Sequence, residues 1–382
     1  MRSGTSACAG CRRPSRRNGS GGCCRRHARV PLRDRLLALL GRRPVRAEGR
    51  GRHRGAAVHV VVLDGTMSSL APGFESNAGL TYLLLREAGL SANLTVHYEA
   101  GVQWRDWSSA LDVAAGRGIN RQIERAYGVL ASRYRPGDRI FLLGFSRGAY
   151  AVRALAGVID LVGLVRTEHA TVRTIRQACR HYRSGARGPV AEAFRRRFCH
   201  PEVRIEAVGV WDTVKTLGLR LPGLGTWIDP KHRMHNQFPT AVARHNFHAL
   251  ARDETRDAYA PVLWHTPPGF RGHLEQVWFR GTHGDIGGQL EGYAPARPLA
   301  NVSLVWMLDR LEGAGLPLPA GWRERFPADP EAPSLGLWRG WSKVLVSRHA
   351  RVIGRDPSER FHAPKPDPDT SVPAHPGGNA AA

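Results

Sequence analysis

The sequence predicts an α/β fold, a mainly parallel sheet covered by helices on both faces. Three observations carry this reading. Short, continuously apolar runs bounded by turn residues recur along the chain, and a strand that is apolar at every position is one buried on both faces. Between these runs lie segments whose apolar residues are spaced by three and four, as a helix with one buried face requires. The two kinds of segment alternate, which is the pattern of parallel strands joined by crossover helices. With 382 residues, 42% of them hydrophobic, the chain has apolar material for one large domain.

The elements follow in order. Val58-His59-Val60-Val61-Val62-Leu63 is the first strand, closed by the turn Asp64-Gly65-Thr66. Residues Asn77 to Glu87 read as a helix, Thr95 to Tyr98 as a second strand, and Asn120 to Tyr134 as a helix. After the turn Pro136-Gly137-Asp138, Arg139 to Leu143 forms a strand and Gly144 to Gly148 a sharp bend. The helix that follows buries Ala149, Val152, Leu155, Ala156 and Ile159 at helical spacing. Val203 to Val210 is a strand ending at Trp211-Asp212-Thr213, His245 to Arg256 reads as a helix, Gln276 to Phe279 as a strand and Asn301 to Leu311 as a helix. The expected domain runs from 56 to 363, and no internal repeat interrupts it.

The two ends differ in composition. Residues 1–55 hold sixteen arginines against Asp34 and Glu48, more than half of the net charge of +24. They lack sustained periodicity and read as a disordered extension, or as sequence upstream of the true start codon. Only four of the 56 Lys and Arg residues are lysine, a skew that reflects a GC-rich genome as readily as a binding surface. Of six cysteines, Cys8, Cys11, Cys23 and Cys24 lie in this extension with His27, at a spacing that fits no standard zinc site. Cys179 and Cys199 lie in the body, and nothing argues for a disulfide framework. Residues 364–382 are rich in Pro, Asp, Gly and Ala and read as a loose tail. No apolar stretch is long enough to span a membrane, and the run Leu36 to Leu40 is too short for a signal peptide. The expected location is cytoplasmic, or outside the cell by a Sec-independent route.

Gly144-Phe145-Ser146-Arg147-Gly148 is where chemistry enters. The pattern G-x-S-x-G is common, but here it joins a strand to a helix, as the nucleophile elbow of an α/β-hydrolase-like fold must. Small flanking residues let strand and helix approach, so that the serine hydroxyl stands above the sheet edge at a helix N-terminus. The competing reading is a helix-capping serine, which would not need glycine on both sides. A serine nucleophile requires a base, and the base an orienting carboxylate. His283, after a strand and among glycines, is the candidate base, and Asp212 the candidate acid. The backbone N–H of Arg147 would be one oxyanion donor and that of Gly65 the second. Asp64 either supports that turn or forms a local Asx turn, and Asp285 either orients His283 or holds a neighbouring loop. Trp211, Trp227, Phe238 and Trp264 line an acyl pocket or, more commonly for such residues, fill the core. No His/Asp arrangement has ligand spacing, so no metal and no cofactor is expected.

These segments resemble the catalytic domain of the Tle-type type VI secretion phospholipase effectors, a bacterial and fungal α/β-hydrolase family. Five motifs carry the resemblance: Leu63 to Thr66, Gly144 to Tyr150, Gly209 to Val214, Asp253 to Arg256, and Val277 to Gly288. The resemblance implies Ser146 as nucleophile, His283 as base, Asp212 as third member, and hydrolysis of carboxylic or phospholipid esters without a cofactor. The chain is too short for the membrane-docking insertions and long C-terminal module of the family's best-studied branch. It also carries Gln289 where the family often has a third glycine. The implied partners are a small-molecule or lipid ester and an anionic membrane surface, with no specific nucleic acid. The rival class is a non-catalytic hydrolase scaffold whose basic extension contacts nucleic acid or anionic lipid.

Overall fold

The computed structural model describes residues 55–89, 93–101, 117–186, 188–214, 237–338 and 347–362. Seven strands form one sheet: β1 (Val58–Leu63), β2 (Leu94–Glu99), β3 (Arg139–Phe145), β4 (Ile205–Trp211), β5 (Ala243–Ala251), β6 (His273–Phe279) and β7 (Glu359–Phe361). Their order is β2-β1-β3-β4-β5-β6-β7, and every neighbouring pair is parallel. The predicted α/β class, with its parallel sheet, is the observed one. The chain leaves β1 toward one edge and returns to build the other, so β1 and β3 flank the point where the winding reverses. In open parallel sheets, ligand sites form beyond the carboxyl ends of the strands at that point.

The continuous apolar runs follow from two-sided burial. Val61 and Leu63 pack with Ile140, Leu142, Val208 and Val210 on one face, whereas Val58, Val60 and Val62 join Phe141, Leu143 and Phe145 on the other. Side chains alternate between faces along a strand, so both parities must be apolar. The first face is covered by α2 (Arg117–Arg133), α3 (Arg147–Leu161), α4 (Val172–Arg183) and α5 (Pro189–Phe198). The second is covered by α1 (Asn77–Ala88) and α7 (Arg297–Gly313). A single turn of helix, α6 (His283–Gly287), follows β6.

One expectation is overturned. His245 to Arg256 is not a helix; its first part lies in β5, between β4 and β6. Ala and Leu there suit a helix, but Phe247, Ala249 and Ala251 pack against one face of the sheet, and the vacant ladder position between two strands outweighs local preference. Helices α4 and α5 and the three-residue β7 were not foreseen, although Ile175, Ala178, Cys179 and Tyr182, all buried on α4, show helical spacing. Cys179 and Cys199 are buried free thiols. The expectations for residues 1–54 and 363–382, the four N-terminal cysteines included, lie outside the described residues, as does Trp227.

Candidate active site

Ser146 is the single residue between β3 and α3, with φ 58° and ψ −119°. A residue with a Cβ avoids this region unless the fold holds it there. The flanking glycines are part of that hold. A Cβ on Gly148 would lie 2.0 Å from the Leu63 carbonyl oxygen, and one on Gly144 2.7 Å from that of Gly148. Ser146 N–H donates to the Trp211 carbonyl, tying the elbow to the end of β4. Its hydroxyl makes no capping bond to α3. Instead Oγ lies 2.9 Å from His283 Nε2.

His283 opens α6. Its ring is stacked on Tyr259 at a centroid distance of 4.4 Å and lies 4.9 Å from the tilted Phe145 ring. Its backbone N–H donates to Glu254 Oε2 at 3.1 Å. Glu254 is itself ion-paired with Arg256, both being buried, and the Arg256 guanidinium lies 4.4 Å from the Tyr259 ring. Burial pushes the Glu254 carboxyl up, but Arg256 outweighs it and holds it below its usual range. Asp253 accepts the Gly281 N–H at 2.7 Å, fixing the approach to the histidine.

The remaining imidazole nitrogen, Nδ1, lies 2.6 Å from Asp212 Oδ2. Asp212 immediately follows β4 with φ 38°. The turn is held by His248, whose Nε2 accepts the Thr213 N–H at 3.2 Å while Nδ1 faces Gln276 Oε1 at 3.3 Å. Burial takes the His248 pKa down to about 3, so the ring is neutral and able to accept. The other Asp212 oxygen accepts the Ala251 N–H at 3.0 Å. Arg351 closes the arrangement, with Nη1 2.6 Å from Oδ1 and Nη2 2.9 Å from Oδ2. Burial pushes the Asp212 carboxyl up, but Arg351 and His283 together hold it well below the carboxylate range.

Ser146, His283 and Asp212 thus meet in one hydrogen-bonded row at the carboxyl edge of the sheet. Asp285 does not join it. It accepts the Thr282 N–H and hydroxyl, the Ser334 hydroxyl and the Leu335 N–H, and so holds a neighbouring loop. Asp64, buried at the end of β1, accepts the Ser76 and Tyr98 hydroxyls and the Gly65 N–H. That last bond corrects an expectation, because the Gly65 amide points at its neighbour's carboxylate at 2.7 Å and is not a free oxyanion donor. Gln289, the departure from the resembled motif, donates to the Thr66 carbonyl at 3.0 Å and ties this turn to the histidine loop. Burial takes the Arg147 guanidinium down to about 10. Trp211 and Trp264 are core residues and Phe238 is exposed. Among the described residues no group of three or more His, Cys, Asp or Glu is placed to hold a metal ion. Nor is any helix there long and apolar enough to cross a membrane.

Residues 58–310 match the family of type VI secretion phospholipase effectors, Tle1-like, catalytic domain. The chain belongs to this family. An uncharacterised protein of Saccharomyces cerevisiae is 26% identical over 235 residues, which cover 55% of this chain and 33% of the yeast protein. Among solved structures, the Tle1 effector bound to the VgrG spike from the type VI secretion system aligns with TM-score 0.32 and 17% identity, over 62% of this chain and 51% of that one. An uncharacterised protein from Pseudomonas aeruginosa aligns with TM-score 0.43 and 14% identity, over 72% of this chain and 47% of its own. The chain therefore spans a third of the yeast relative and about half of each of these structures.

Within this Tle1-like chain, sequence reasoning singled out the segment Asp253 to Arg256 without giving it a role. The structure places Asp253 and Glu254 behind the histidine loop. Arg351 lies beyond the 58–310 match and carried no sequence signal at all.

Proposed function

We propose that the chain is a serine hydrolase that cleaves carboxylic esters, lipid esters among them, through an acyl-enzyme. The observation that supports it most is the row Ser146 Oγ–His283 Nε2 at 2.9 Å and His283 Nδ1–Asp212 Oδ2 at 2.6 Å, which starts from a strained elbow. In this reading His283 takes the Ser146 proton as Oγ attacks the ester carbonyl. Asp212 keeps the other imidazole nitrogen protonated and stabilises the imidazolium. The Arg147 N–H, at the start of α3, donates to the developing oxyanion. With the Gly65 N–H engaged, the second donor is the next amide in that turn, Thr66 N–H. Collapse of the tetrahedral intermediate expels the alcohol, which takes its proton from His283. Water activated by His283 then releases the acid.

Membership of a phospholipase effector family supports a lipid ester as the substrate. The test is turnover of p-nitrophenyl esters by Ser146→Ala. Loss of at least about 1,000-fold in kcat with an unchanged melting temperature is expected, because a triad member acts as part of a unit. Turnover within a few fold of wild type would remove Ser146 from the mechanism.

A further inference from the structure

The segment 347–362 lies outside the stretch that matches the family, yet it reaches the centre of the site. It is strapped across the loop that carries Glu254 and Tyr259. His349 N–H donates to the Thr255 carbonyl at 2.8 Å, and Asp257 N–H to that of Ser347 at 3.1 Å. Downstream, β7 pairs with β6, and Asp356 accepts the Thr266 N–H and hydroxyl at 2.6 and 2.7 Å. Between these anchors the Arg351 side chain is only 4% exposed. Besides Asp212, it donates to the Ala251 carbonyl at 2.8 Å and the Tyr259 carbonyl at 2.6 Å.

We infer that this segment completes the active site by delivering Arg351 to Asp212, where the guanidinium acts as a positioning residue that fixes the carboxylate plane against His283. The inference rests on the serine-hydrolase reading and adds a residue to it. A carboxylate has about four lone-pair sites. Here Oδ1 receives Ala251 N–H and Arg351 Nη1, and Oδ2 receives His283 Nδ1 and Arg351 Nη2. Every site is filled, so the carboxylate cannot rotate away from the imidazole. The planar fork does this as a lysine ammonium cannot.

The experiment compares Arg351→Met and Arg351→Lys in the full chain, following kcat and KM for p-nitrophenyl butyrate, with Ser146→Ala in the same series. For Arg351→Met kcat falls about 10- to 100-fold, with KM held within about threefold. For Arg351→Lys, which keeps the charge and loses the fork, kcat falls about tenfold with KM held in the same way. A wild-type kcat in either variant, or a loss carried by KM, overturns the inference, while Ser146-dependent turnover leaves the hydrolase reading standing. Wild-type turnover that does not depend on Ser146 sinks the hydrolase reading, and this inference with it.

Discussion

Asp64 and Asp212 occupy the same kind of place. Each follows a parallel strand, β1 or β4, at the carboxyl edge of the sheet, and each is buried. Each accepts several hydrogen bonds. The donors differ in charge, and that decides their chemistry. Among the described residues Asp64 receives only neutral donors, the Ser76 and Tyr98 hydroxyls and the Gly65 N–H among them, and burial leaves its carboxyl raised above its usual value. Asp212 receives the Arg351 guanidinium and the imidazole, and despite its burial it stays a carboxylate. The backbone sets where a strand-end aspartate stands. What reaches it from distant parts of the chain sets what it can do.

The largest expected effect is at the ionised member. Asp212→Asn should lower kcat for p-nitrophenyl esters by about 1,000- to 10,000-fold, since the amide cannot hold the imidazole tautomer or stabilise its charged form. It also leaves Arg351 buried without a counter-charge, at a stability cost of about 3–5 kcal/mol at neutral pH. Because its folded pKa is depressed, Asp212 contributes stability that is present above the unfolded carboxylate pKa of about 3.9 and lost as pH falls. The melting-temperature gap between wild type and Asp212→Asn should therefore narrow on acidification. A gap that widens contradicts the assignment.

The effect at the other aspartate is smaller and opposite in sign. Asp64→Asn should keep kcat within about tenfold of wild type, because its contacts support the turn and not the base. A raised folded pKa means that Asp64 stabilises the fold at low pH, and that this contribution is lost as pH rises through the folded value. Relative to wild type, Asp64→Asn should therefore gain melting temperature between about pH 4 and about pH 8. Thermal melts at both ends of that range check it, and a loss on going alkaline would merge the two aspartates into one class.

The elbow is local: Gly144, Ser146 and Gly148 are neighbours in the chain, and the steric need that links them is visible as a motif. The strands β1 and β3 were legible for a similar reason, since two-sided burial leaves an unbroken apolar run. β5 was misread because its His, Asn and Ala residues carry no strand preference, and only the position between β4 and β6 makes it a strand. The acid end is assembled from β4, the end of β5, the loop at Tyr259 and Arg351, segments that are far apart in sequence. A lone arginine in a basic chain offers nothing for pattern reading to hold. The Gly65 amide was misassigned because a turn's sequence does not reveal that its own aspartate has already bound the donor.

Labelling the chain with a fluorophosphonate and mapping the adduct by peptide mass spectrometry tests the role of Ser146 at the atom itself. One adduct is expected, on the peptide containing Ser146, lost in Ser146→Ala and strongly slowed in His283→Gln. No adduct on the wild-type chain, or labelling undiminished in Ser146→Ala, would contradict that role.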